Sequence, residues 1–509
     1  MGMECLHHHP GPAKVPFVAT MPSSFEGVLF TVQPALVVDL DGTLIHTDML
    51  HESALQLLRE HPLQTLQIPG WLRRGKATLK ERLAERTRLD PRTLPYNQPF
   101  IEWLKAQRAE GRTLVLCTAS DQRIARQVAD HLGIFDDVIA SNGHDNLAGT
   151  RKAAALVERY GDRGFDYAGN SSTDLYVWRH ARQAIVVNGS PKLADQAAAV
   201  TEVARVFPAR PQGFNAWRRV LRMHQWMKNI LLFVPLLAAH DLTNLHAWGL
   251  LAVAFASFSL CASSVYIAND LLDLESDRLH PRKRKRPFAS GLVPAWKGVL
   301  LAPVLLGVSL TLAWQVGTPF LSWLLLYFSL TCVYSWRLKR LLLIDCLTLA
   351  MLYTLRIVSG AAAIGMMLSF WLLAFSIFLF LSLAFVKRYA ELRLHKKGAG
   401  SLHGRGYHSD DAPIIQMMGI VAGYAAVLVL ALYVNSDAIM AMYEHPKLVW
   451  GAVPVVLFWV SWVWMRAHRG EMHDDPVVFA IKDRTSLATG AIFALVLAMG
   501  TGVLGHMPW

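Results

Sequence analysis

The sequence has few cysteines and no apolar leader. Its five cysteines are scattered over 509 residues, mostly within apolar runs, so they match no metal-ligand spacing and indicate reduced packing residues. The amino terminus, MGMECLHHHPGPAKVPF, lacks an apolar core of signal-peptide length, which predicts that the part following it stays in the cytosol. His7, His8 and His9 are more typical of a disordered tail or a tag remnant than of a metal site.

The net charge of +12 does not favour nucleic-acid binding. The cations concentrate in loops that flank long apolar segments. A cytosolic face near anionic lipid, or an anionic substrate, explains such a distribution more simply.

Hydrophobic composition divides the chain into two unlike halves. Residues 1–215 mix polar, charged and apolar segments as a soluble α/β protein does, whereas residues 225–509 are mostly long apolar stretches. We therefore expect a soluble domain fused to a polytopic membrane domain. The expected divisions are a disordered tail (1–29), the soluble domain (30–205), a linker with an interfacial helix (206–224) and the membrane domain (225–509).

Two aspartates follow the first predicted strand of the soluble half. The apolar run over residues 35–39 ends at Asp39, and Asp41 lies two residues further on in an Asp-Leu-Asp-Gly-Thr-Leu segment. The first carboxylate could attack phosphorus as a nucleophile, and the second could act as general acid and base for the leaving group. An Asp-x-Asp sequence alone is a weak signal, because turns are rich in Asp and Gly.

Later segments of the soluble half supply complementary groups. A second predicted strand leads to Thr118, whose hydroxyl could hold a phosphoryl oxygen, and Lys152 could neutralise charge in the transition state. A third leads to Asn170 and Asp174, which could bind Mg²⁺.

In order and spacing, these elements resemble the haloacid dehalogenase-like phosphatase superfamily across roughly residues 30–205. The resemblance implies a Rossmann-like α/β fold with a small helical cap over residues 49–98. It also implies Asp39 as phospho-aspartyl nucleophile, Asp41 as acid/base, Thr118 and Lys152 as phosphoryl stabilisers, and a magnesium site that includes Asp39, Asp41, Asn170 and Asp174. The family often has Asp where this chain has Asn170, which would weaken the metal site or alter its preference. An inactive phosphatase fold used as a regulatory domain is the alternative.

About nine apolar stretches follow, each near the roughly 20 residues that a bilayer requires. They centre near residues 235, 258, 305, 326, 352, 378, 424, 457 and 495. The strongest cationic loops follow the second, fourth and sixth stretches, so the positive-inside rule predicts that these loops share the cytosol with the soluble domain. The sequence thus predicts an all-α, multi-pass domain of about nine helices in the cell membrane.

A polar motif ends the second apolar stretch. Asn269, Asp270, Asp273 and Asp277 fall at i, i+1, i+4 and i+8, so on a continuous helix they share one face. Three carboxylates at the end of a membrane span are costly unless something offsets their charge, and Mg²⁺ carrying substrate phosphate is the natural offset.

A run of cations follows that motif over residues 278–286. Arg282, Lys283 and Arg286 within it suit phosphate oxygens. A positive-inside anchor at the lipid surface would explain these cations, but it leaves the phased carboxylates unexplained.

Asp345 and Arg356 lie eleven residues apart on one predicted membrane helix. Eleven residues are close to three turns, so both share a face, and ionisable groups in such a helix are functional by default. A structural ion pair between them is the alternative. The other candidates for substrate binding are Lys228, Asn229, Tyr334, Lys339, Lys387 and Arg388. For each basic residue alone, a lipid-facing anchor is equally plausible.

The Asn-Asp-x-x-Asp-x-x-x-Asp motif with its basic run is similar to the first aspartate-rich motif of the UbiA-type intramembrane prenyltransferase superfamily, over roughly residues 215–505. The resemblance implies nine helices around a lateral, lipid-facing cavity. Aromatic prenyltransferases of this superfamily usually carry paired aspartates on the fifth helix, where this chain has Asp345 alone. The segments around Lys228, Tyr334 and Lys387 look more like the decaprenyl-phosphate phosphoribosyltransferase branch.

That branch implies a specific reaction. Mg²⁺ and the aspartates, with Asp270 and Asp273 as catalytic residues, hold phosphoribosyl diphosphate, and a polyprenyl phosphate from the membrane attacks the anomeric carbon. The phosphatase-like domain could then remove the 5-phosphate from the lipid-linked product. The expected cofactor is Mg²⁺ in both domains.

Two other classes compete with this interpretation. An aromatic prenyltransferase would ionise an allylic polyprenyl diphosphate to make a quinone or haem precursor. A transporter or scaffold would use its polar helix faces for permeation, but the sequence lacks the inverted repeats that favour this class.

Overall fold

The computed structural model describes residues 33–142, 145–211, 213–394, 406–436, 443–472 and 475–501. The expected tail over residues 1–29, with its three histidines, lies outside the described residues.

A six-stranded sheet forms the centre of the soluble domain. Its strands are β1 (Ala35–Val38), β2 (Leu114–Asp121), β3 (Asp137–Ser141), β4 (Phe165–Gly169), β5 (Gln183–Gly189) and β6 (Glu202–Pro208). They lie in the order β3-β2-β1-β4-β5-β6, and every neighbouring pair is parallel. Leu36 and Val38 pack on one face and Val37 on the other, all fully buried, as in a central parallel strand. The α/β fold class is confirmed.

The sequence predicts β1, β2 and β4, and the apolar run over residues 184–187 favours β5, but the other two strands are not predicted. β6 is an edge strand whose residues are mostly exposed, and Glu202 and Arg205 interrupt its apolar pattern. β3 is the opposite edge, and of its five residues only Ser141 is buried. Because edge strands bury little, their sequences carry a weak strand signal. β6 also extends the sheet to Pro208, beyond the expected boundary at residue 205.

Helices cover both faces of this sheet. They are α1 (Met49–Glu60), α2 (Ile68–Arg73), α3 (Lys76–Arg86), α4 (Gln98–Ala109), α5 (Gln122–Leu132), α6 (Thr150–Tyr160), α7 (Leu175–Trp178) and α8 (Pro191–Ala198). α1, α2 and α3 lie between β1 and β2 along the chain, where the sequence predicts a helical cap.

The second half of the chain is helical. Its elements are α9 (Phe214–Val220), a 3-10 segment (Met223–Phe233), α10 (Val234–Ala238), α11 (Leu245–Leu272), α12 (Leu274–Leu279), α13 (Ala295–Val316), α14 (Thr318–Trp336), α15 (Ile344–Ala363), α16 (Phe370–Leu394), α17 (Ala412–Val434), α18 (Pro446–Val449), α19 (Ala452–His468), α20 (Pro476–Lys482) and α21 (Arg484–Gly500).

Among the described residues, seven helical segments are long and apolar enough to cross a membrane, so the count of nine is not confirmed. The stretch near residue 235 forms the 3-10 segment and the short α10, and the stretch near 495 forms α21, which has 17 residues. Lys228 and Asn229 are buried within the 3-10 segment, where their polar groups contact other helices. The remaining seven expected stretches each coincide with one of the seven spans.

α11 and α15 are the most enclosed of the spans. In the most apolar 18-residue stretch of each helix, 61% of the residues are buried in α11 and 72% in α15, against 17% in α13 and in α14. The polar residues that these two helices carry therefore face the interior of the bundle, where a charged group requires a partner.

The cap helix α1 contacts the membrane half. Arg278 of α12 donates two hydrogen bonds to Glu52 of α1, at 2.7 and 3.0 Å, and both side chains are at most 6% exposed. Arg59 pairs with Glu275 at 3.0 Å nearby. Leu55 packs in the apolar cluster that includes residues of α9 and α11. The cap is therefore also one of the elements through which the soluble domain contacts the membrane half.

Candidate functional site

The carboxyl ends of β1, β2 and β4 meet at one edge of the sheet. Asp39 follows β1, and its Oδ1 accepts a hydrogen bond from Lys152 Nζ at 2.7 Å. Lys152, on α6, also donates to the Tyr167 hydroxyl at 3.0 Å. Burial raises the pKa of Asp39 to about 6, although Lys152 opposes the shift. The expected nucleophile and phosphoryl-binding lysine are thus brought together.

Asp41 lies beside them at the start of the cap. Its Oδ2 accepts a hydrogen bond from the Ser120 hydroxyl at 2.6 Å, and its Oδ1 accepts one from the Met49 N–H at 2.7 Å. Burial, with the negative charges of Asp48 and Asp39, raises the pKa of Asp41 to about 7. A carboxyl that titrates near neutral pH suits a general acid and base.

The other expected residues of this edge have mainly internal partners. Thr118 is fully buried and its hydroxyl oxygen accepts the Ser120 N–H at 3.0 Å, while Asn170 Oδ1 accepts from the Thr43 hydroxyl at 3.3 Å. Asp174 accepts four hydrogen bonds, two of them from backbone N–H groups. No three His, Cys, Asp or Glu side chains form a metal-binding group in the part of the chain that the structure describes. We name Asp39, Asp41, Thr118, Lys152 and Asn170 the sheet-edge site.

Lys80 of the cap is a member of this region that the sequence does not reveal. Its Nζ donates to the Ala119 carbonyl at 2.6 Å, next to Thr118, and burial lowers its pKa. It lies on α3, whose sequence reads as an ordinary charged surface helix, and only the folded cap brings the ammonium to the sheet edge.

At the end of α11, two aspartates share one arginine. Arg286 NH1 donates to Asp270 Oδ1 at 3.0 Å and to Asp277 Oδ2 at 2.5 Å, and Arg222 also pairs with Asp270. Both aspartates are almost fully buried. Asp277 Oδ1 is buried and accepts no hydrogen bond among the described residues, with Lys283 Nζ 3.7 Å away. We name Asp270, Asp277, Arg222 and Arg286 the clamp.

The single helix face expected for the motif is divided. α11 ends at Leu272 and α12 begins at Leu274, so the helix is interrupted at Asp273. Asp273 is 44% exposed and lies 4.0 Å from Lys339, while Asn269 donates to the Ser335 hydroxyl at 2.9 Å. Beyond the interruption, Asp277 contacts Arg286. Arg282 is exposed at the surface of the basic run.

A second group of charged residues lies deeper in the bundle. Lys228 Nζ is 2.7 Å from Asp475 Oδ2, Lys387 Nζ is 3.4 Å from the same oxygen, and the Tyr353 hydroxyl donates to Asp475 at 2.9 Å. The sequence does not single out Asp475, because its side chain caps the amino terminus of α20 and reads as an ordinary N-cap before Pro476.

Arg356 adjoins this group from α15. Its Nε donates to Asn229 Oδ1 at 3.0 Å, and its NH2 donates to the Tyr327 hydroxyl at 2.9 Å. Its guanidinium also lies 5.4 Å from the Tyr353 ring centre. We name Lys228, Tyr353, Arg356, Lys387 and Asp475 the inner cluster.

The ion pair considered between Asp345 and Arg356 is wrong. Asp345 pairs with Arg388 and accepts a hydrogen bond from Tyr407, and both charged side chains are fully buried. Asp345 and Arg388 thus bind each other and the surrounding protein, and direct contact of either residue with substrate stays a prediction. Tyr334 is half-buried near the same end of the bundle.

Comparisons with known proteins agree with the two halves. Residues 36–179 match the family model for a haloacid dehalogenase-like hydrolase, and residues 230–487 match that of the UbiA prenyltransferase family. Fold and matches together define a membrane transferase fused to a phosphatase-like domain. The chain belongs to the UbiA prenyltransferase family.

Several relatives extend this comparison. An uncharacterized protein from Sinorhizobium fredii is 37% identical over 91% of this chain and 90% of its own length. Nodulation protein NoeC from Azorhizobium caulinodans is 37% identical over 56% of this chain and 92% of its own. Decaprenyl-phosphate phosphoribosyltransferase from Mycolicibacterium smegmatis is 29% identical over 52% of this chain and 86% of its own. A solved UbiA homolog from Archaeoglobus fulgidus, bound to GPP and Mg²⁺, is 18% identical over 57% of this chain and 99% of its own, with a TM-score of 0.43.

Proposed function

We propose that the membrane domain transfers 5-phosphoribose from phosphoribosyl diphosphate to a polyprenyl phosphate of the decaprenyl type. The observation that carries this proposal is the clamp, in which two buried carboxylates are bracketed by two arginines. Relatives named decaprenyl-phosphate phosphoribosyltransferase, at 29–32% identity, support the choice of donor and acceptor. In our proposal the soluble domain and the clamp share the cytosolic side.

The clamp has the chemistry that a divalent cation requires. Asp277 Oδ1 is buried without a hydrogen bond among the described residues. Asp270 pairs with the same arginine, Arg286, that pairs with Asp277. Mg²⁺ prefers carboxylate oxygens and commonly keeps one or two of them together with substrate phosphates. Asp270 and Asp277 would hold the ion, with Asn269 and Asp273 as further candidates. Bound there, it would neutralise charge on the leaving diphosphate.

The side chains of the clamp would then bind and orient the donor. Arg222 and Arg286 suit the diphosphate oxygens, because a guanidinium binds phosphate through a planar pair of donors. A phosphate oxygen of the acceptor forms a bond to the anomeric carbon, and the bond from that carbon to the diphosphate breaks, so that the diphosphate leaves with the electron pair. An ionised phosphate nucleophile needs no general base. Positioning is therefore the chief task of the protein.

The sheet-edge site supports a second step in the same chain. Asp39 would attack the phosphorus of the 5-phosphate, with Lys152 and Thr118 holding its oxygens and Asp41 giving a proton to the leaving ribose oxygen. Water would then release phosphate from Asp39. Burial and the negative charges of Asp48 and Asp39 raise the pKa of Asp41, and a bound cation held by Asp39 and Asp41 would relieve the repulsion among these carboxylates, so the donor set also fits Mg²⁺.

Purified protein supplied with Mg²⁺, phosphoribosyl diphosphate and a polyprenyl phosphate tests both steps. We expect wild-type protein to form lipid-linked ribose, and Asp39→Asn to accumulate lipid-linked ribose 5-phosphate, as resolved by mass spectrometry. An allylic diphosphate used in preference to phosphoribosyl diphosphate would contradict the transferase proposal. An unchanged product from Asp39→Asn would contradict only the coupling of the two domains.

A further inference from the structure

The cap of the soluble domain carries exposed leucines between α1 and α3. A 3-10 helix covers Pro62–Gln67, and α2 follows it directly. Leu63 and Leu66 are 81% and 78% exposed, and Leu72 of α2 is 50% exposed. Because a 3-10 helix has three residues per turn, Leu63 and Leu66 project from the same side of it. We name Leu63, Leu66 and Leu72 the cap leucines.

Other apolar residues of the same segment face the interior of the cap. Trp71 is buried and packs with Leu79 and Leu83 of α3, and Ile68 packs against this cluster. The segment thus has an inward apolar side of its own. The cap leucines form a second apolar side that the cap does not cover, and clustered exposed leucines indicate a contact surface more strongly than scattered ones do.

The segment follows the end of α1 that contacts the membrane half. Arg59 pairs with Glu275 of α12 at 3.0 Å, and Leu63 comes four residues after Arg59. Four residues span at most about 14 Å even when fully extended. Since α12 begins two residues after the span α11 ends, the first cap leucine lies near the end of a membrane span.

The start of another span lies against the same helix of the cap. The ring of His51 on α1 is 6.2 Å from the ring of Trp296, the second residue of α13, measured between ring centres. Tryptophan at the end of a span is typical of the interface between bilayer and water. Leu58, which is 39% exposed, lies seven residues after His51 and therefore on the same side of α1. The exposed apolar side chains thus continue from the contact between the two halves.

The charged residues of this segment have one sign. Residues 61–80 contain Arg73, Arg74, Lys76 and Lys80, and no aspartate or glutamate. The first three are exposed, whereas Lys80 donates its hydrogen bond at the sheet edge. Exposed leucines beside exposed cations are typical of a segment that lies on an anionic lipid surface. A second copy of the cap would be a poorer partner, because it would bring like charges together.

We infer that the cap leucines enter the interfacial layer of the bilayer beside the membrane half, and that Arg73, Arg74 and Lys76 bind the headgroups of anionic phospholipids there. The partner is the bulk lipid surface, so this inference does not depend on the substrates proposed above. Lipid contact would hold the cap at a second place, besides the ion pairs of α1. The sheet-edge site would then stay at the membrane surface, where a lipid-linked phosphate is found.

Photo-cross-linking of the full chain in nanodiscs tests the inference. The nanodiscs contain phosphatidylcholine and phosphatidylglycerol in equal amounts. The photoreactive amino acid p-benzoylphenylalanine takes the place of Leu63, of Leu66 or, as the control, of Glu102, an exposed residue of α4. After irradiation, mass spectrometry of the peptides identifies the attached molecule. We expect phospholipid at positions 63 and 66 and none above background at position 102.

A charge variant separates the headgroup contact from the apolar contact. Arg73→Gln, Arg74→Gln and Lys76→Gln together should lower the ratio of phosphatidylglycerol to phosphatidylcholine among the attached lipids by about twofold, because cations near the surface attract anionic lipid. Arg126→Gln, at an exposed position on α5, is the matched control and should leave the ratio unchanged.

A variant of the leucines tests the apolar contact from a third position. With p-benzoylphenylalanine in place of Leu72, Leu63→Gln together with Leu66→Gln should reduce lipid attachment several-fold. Tyr176→Gln, at another exposed apolar position of the soluble domain, should leave it unchanged. The melting temperature should stay at the wild-type value in both cases, because these side chains lie outside the core of the cap.

Four results would overturn the inference. Attachment at positions 63 and 66 no greater than at position 102 would show that the surface faces water. A cross-link to another copy of the chain would make the surface an interface between copies, and a cross-link to residues 1–32 would show that the chain itself covers it. Equal attachment of both phospholipids to wild-type protein would refute the headgroup contact.

Discussion

At the sheet edge Asp39 is paired with one lysine, whereas in the clamp Asp270 and Asp277 share Arg286 and Asp270 also pairs with Arg222. Asp39 and Asp41 lie one and three residues after the buried strand β1. The backbone of the sheet therefore sets the positions of both carboxylates. The clamp takes its carboxylates from either side of the break between α11 and α12 and its cations from two other segments. Thus a sheet positions the carboxylates of one site, whose groups come from residues 39 to 170, whereas the carboxylates and arginines of the clamp come from residues 222 to 286.

This difference has an electrostatic consequence. Asp39, which pairs with Lys152, and the half-buried Asp41 remain close to their titration range, as their raised pKa values indicate. Such groups are suited to proton transfer and nucleophilic attack. Carboxylates bracketed by arginines are suited to holding a cation and phosphate, where no proton moves.

The largest expected effect is at the sheet edge. Asp41→Asn keeps the shape of the side chain but removes the proton donor, so hydrolysis of the 5-phosphate should slow by about 10²–10⁴-fold. Transfer of the phosphoribosyl group should continue. Phosphate release is the measurement, and Asp195→Asn, an exposed change on α8, is the control. Hydrolysis at the wild-type rate would remove Asp41 from the reaction.

In the clamp, Asp277→Asn should reduce transfer by about 10²–10³-fold, because it removes a carboxylate that would hold the Mg²⁺ opposite the leaving diphosphate. Hydrolysis of an aryl phosphate by the soluble domain should not change. Initial rates over a range of Mg²⁺ concentrations test this, with Asp410→Asn at an exposed position as the control. An equal loss in both activities would mean that the two sites are not separable.

Breaking the contact between the regions should cost stability. Glu52→Gln leaves the buried Arg278 without its carboxylate, and we expect a loss of about 3 kcal/mol in the free energy of unfolding. Equilibrium unfolding of the full chain in detergent measures it. Glu60→Gln on the exposed end of α1 should have little effect, and the exchange Glu52→Arg with Arg278→Glu should recover part of the loss.

The ion pair between Glu52 and Arg278 also makes the stability of the protein depend on pH. Burial alone would raise the pKa of Glu52, but Arg278 and the Thr47 hydroxyl outweigh it, and the pKa is lowered. The stabilisation is therefore fully present above the ordinary glutamate pKa and is lost as the pH falls through the lowered value. Acidification should destabilise wild-type protein more than Glu52→Gln, and parallel curves for both would contradict this pairing.

The smallest effect is expected from a substitution in the cap, at Lys80. Lys80→Met removes an ammonium that faces the sheet edge, and KM for the phosphorylated substrate should rise about tenfold, or 1.4 kcal/mol, with little change in kcat. Lys105→Met on the exposed side of α4 is the comparison. A fall in kcat alone would indicate that Lys80 acts on the reaction instead of on binding.

Sequence spacing predicts those functional residues that lie at the end of a recognisable strand or helix. Asp39 and Asp41 follow a strand, Asp270 lies in the last turn of an apolar helix and Asp277 lies just beyond that helix, so each pattern is visible within a few residues. Arg222 lies 48 positions from Asp270, and Asp475 lies 247 positions from Lys228. Such pairs form only when the helices pack, and no local pattern indicates them.

The same reasoning explains the errors in the fold. Length and hydropathy predict a span near residue 235, but Lys228 and Asn229 make buried polar contacts there and the backbone forms a 3-10 segment. The helical period likewise predicts that Asp273 shares a face with Asp270 and Asp277, but the helix is interrupted at Asp273. In both cases the contacts that polar groups make with distant residues accompany a backbone that the local sequence pattern does not predict.

The pair formed by Glu52 and Arg278 also constrains how this protein can change over generations. Each residue belongs to a different domain, yet neither can lose its charge alone without leaving the other buried and uncompensated. In descendants that keep both domains, replacement at one position should accompany replacement at the other. A lineage that discards the soluble domain should also substitute Arg278, so these two coding segments share one selective history.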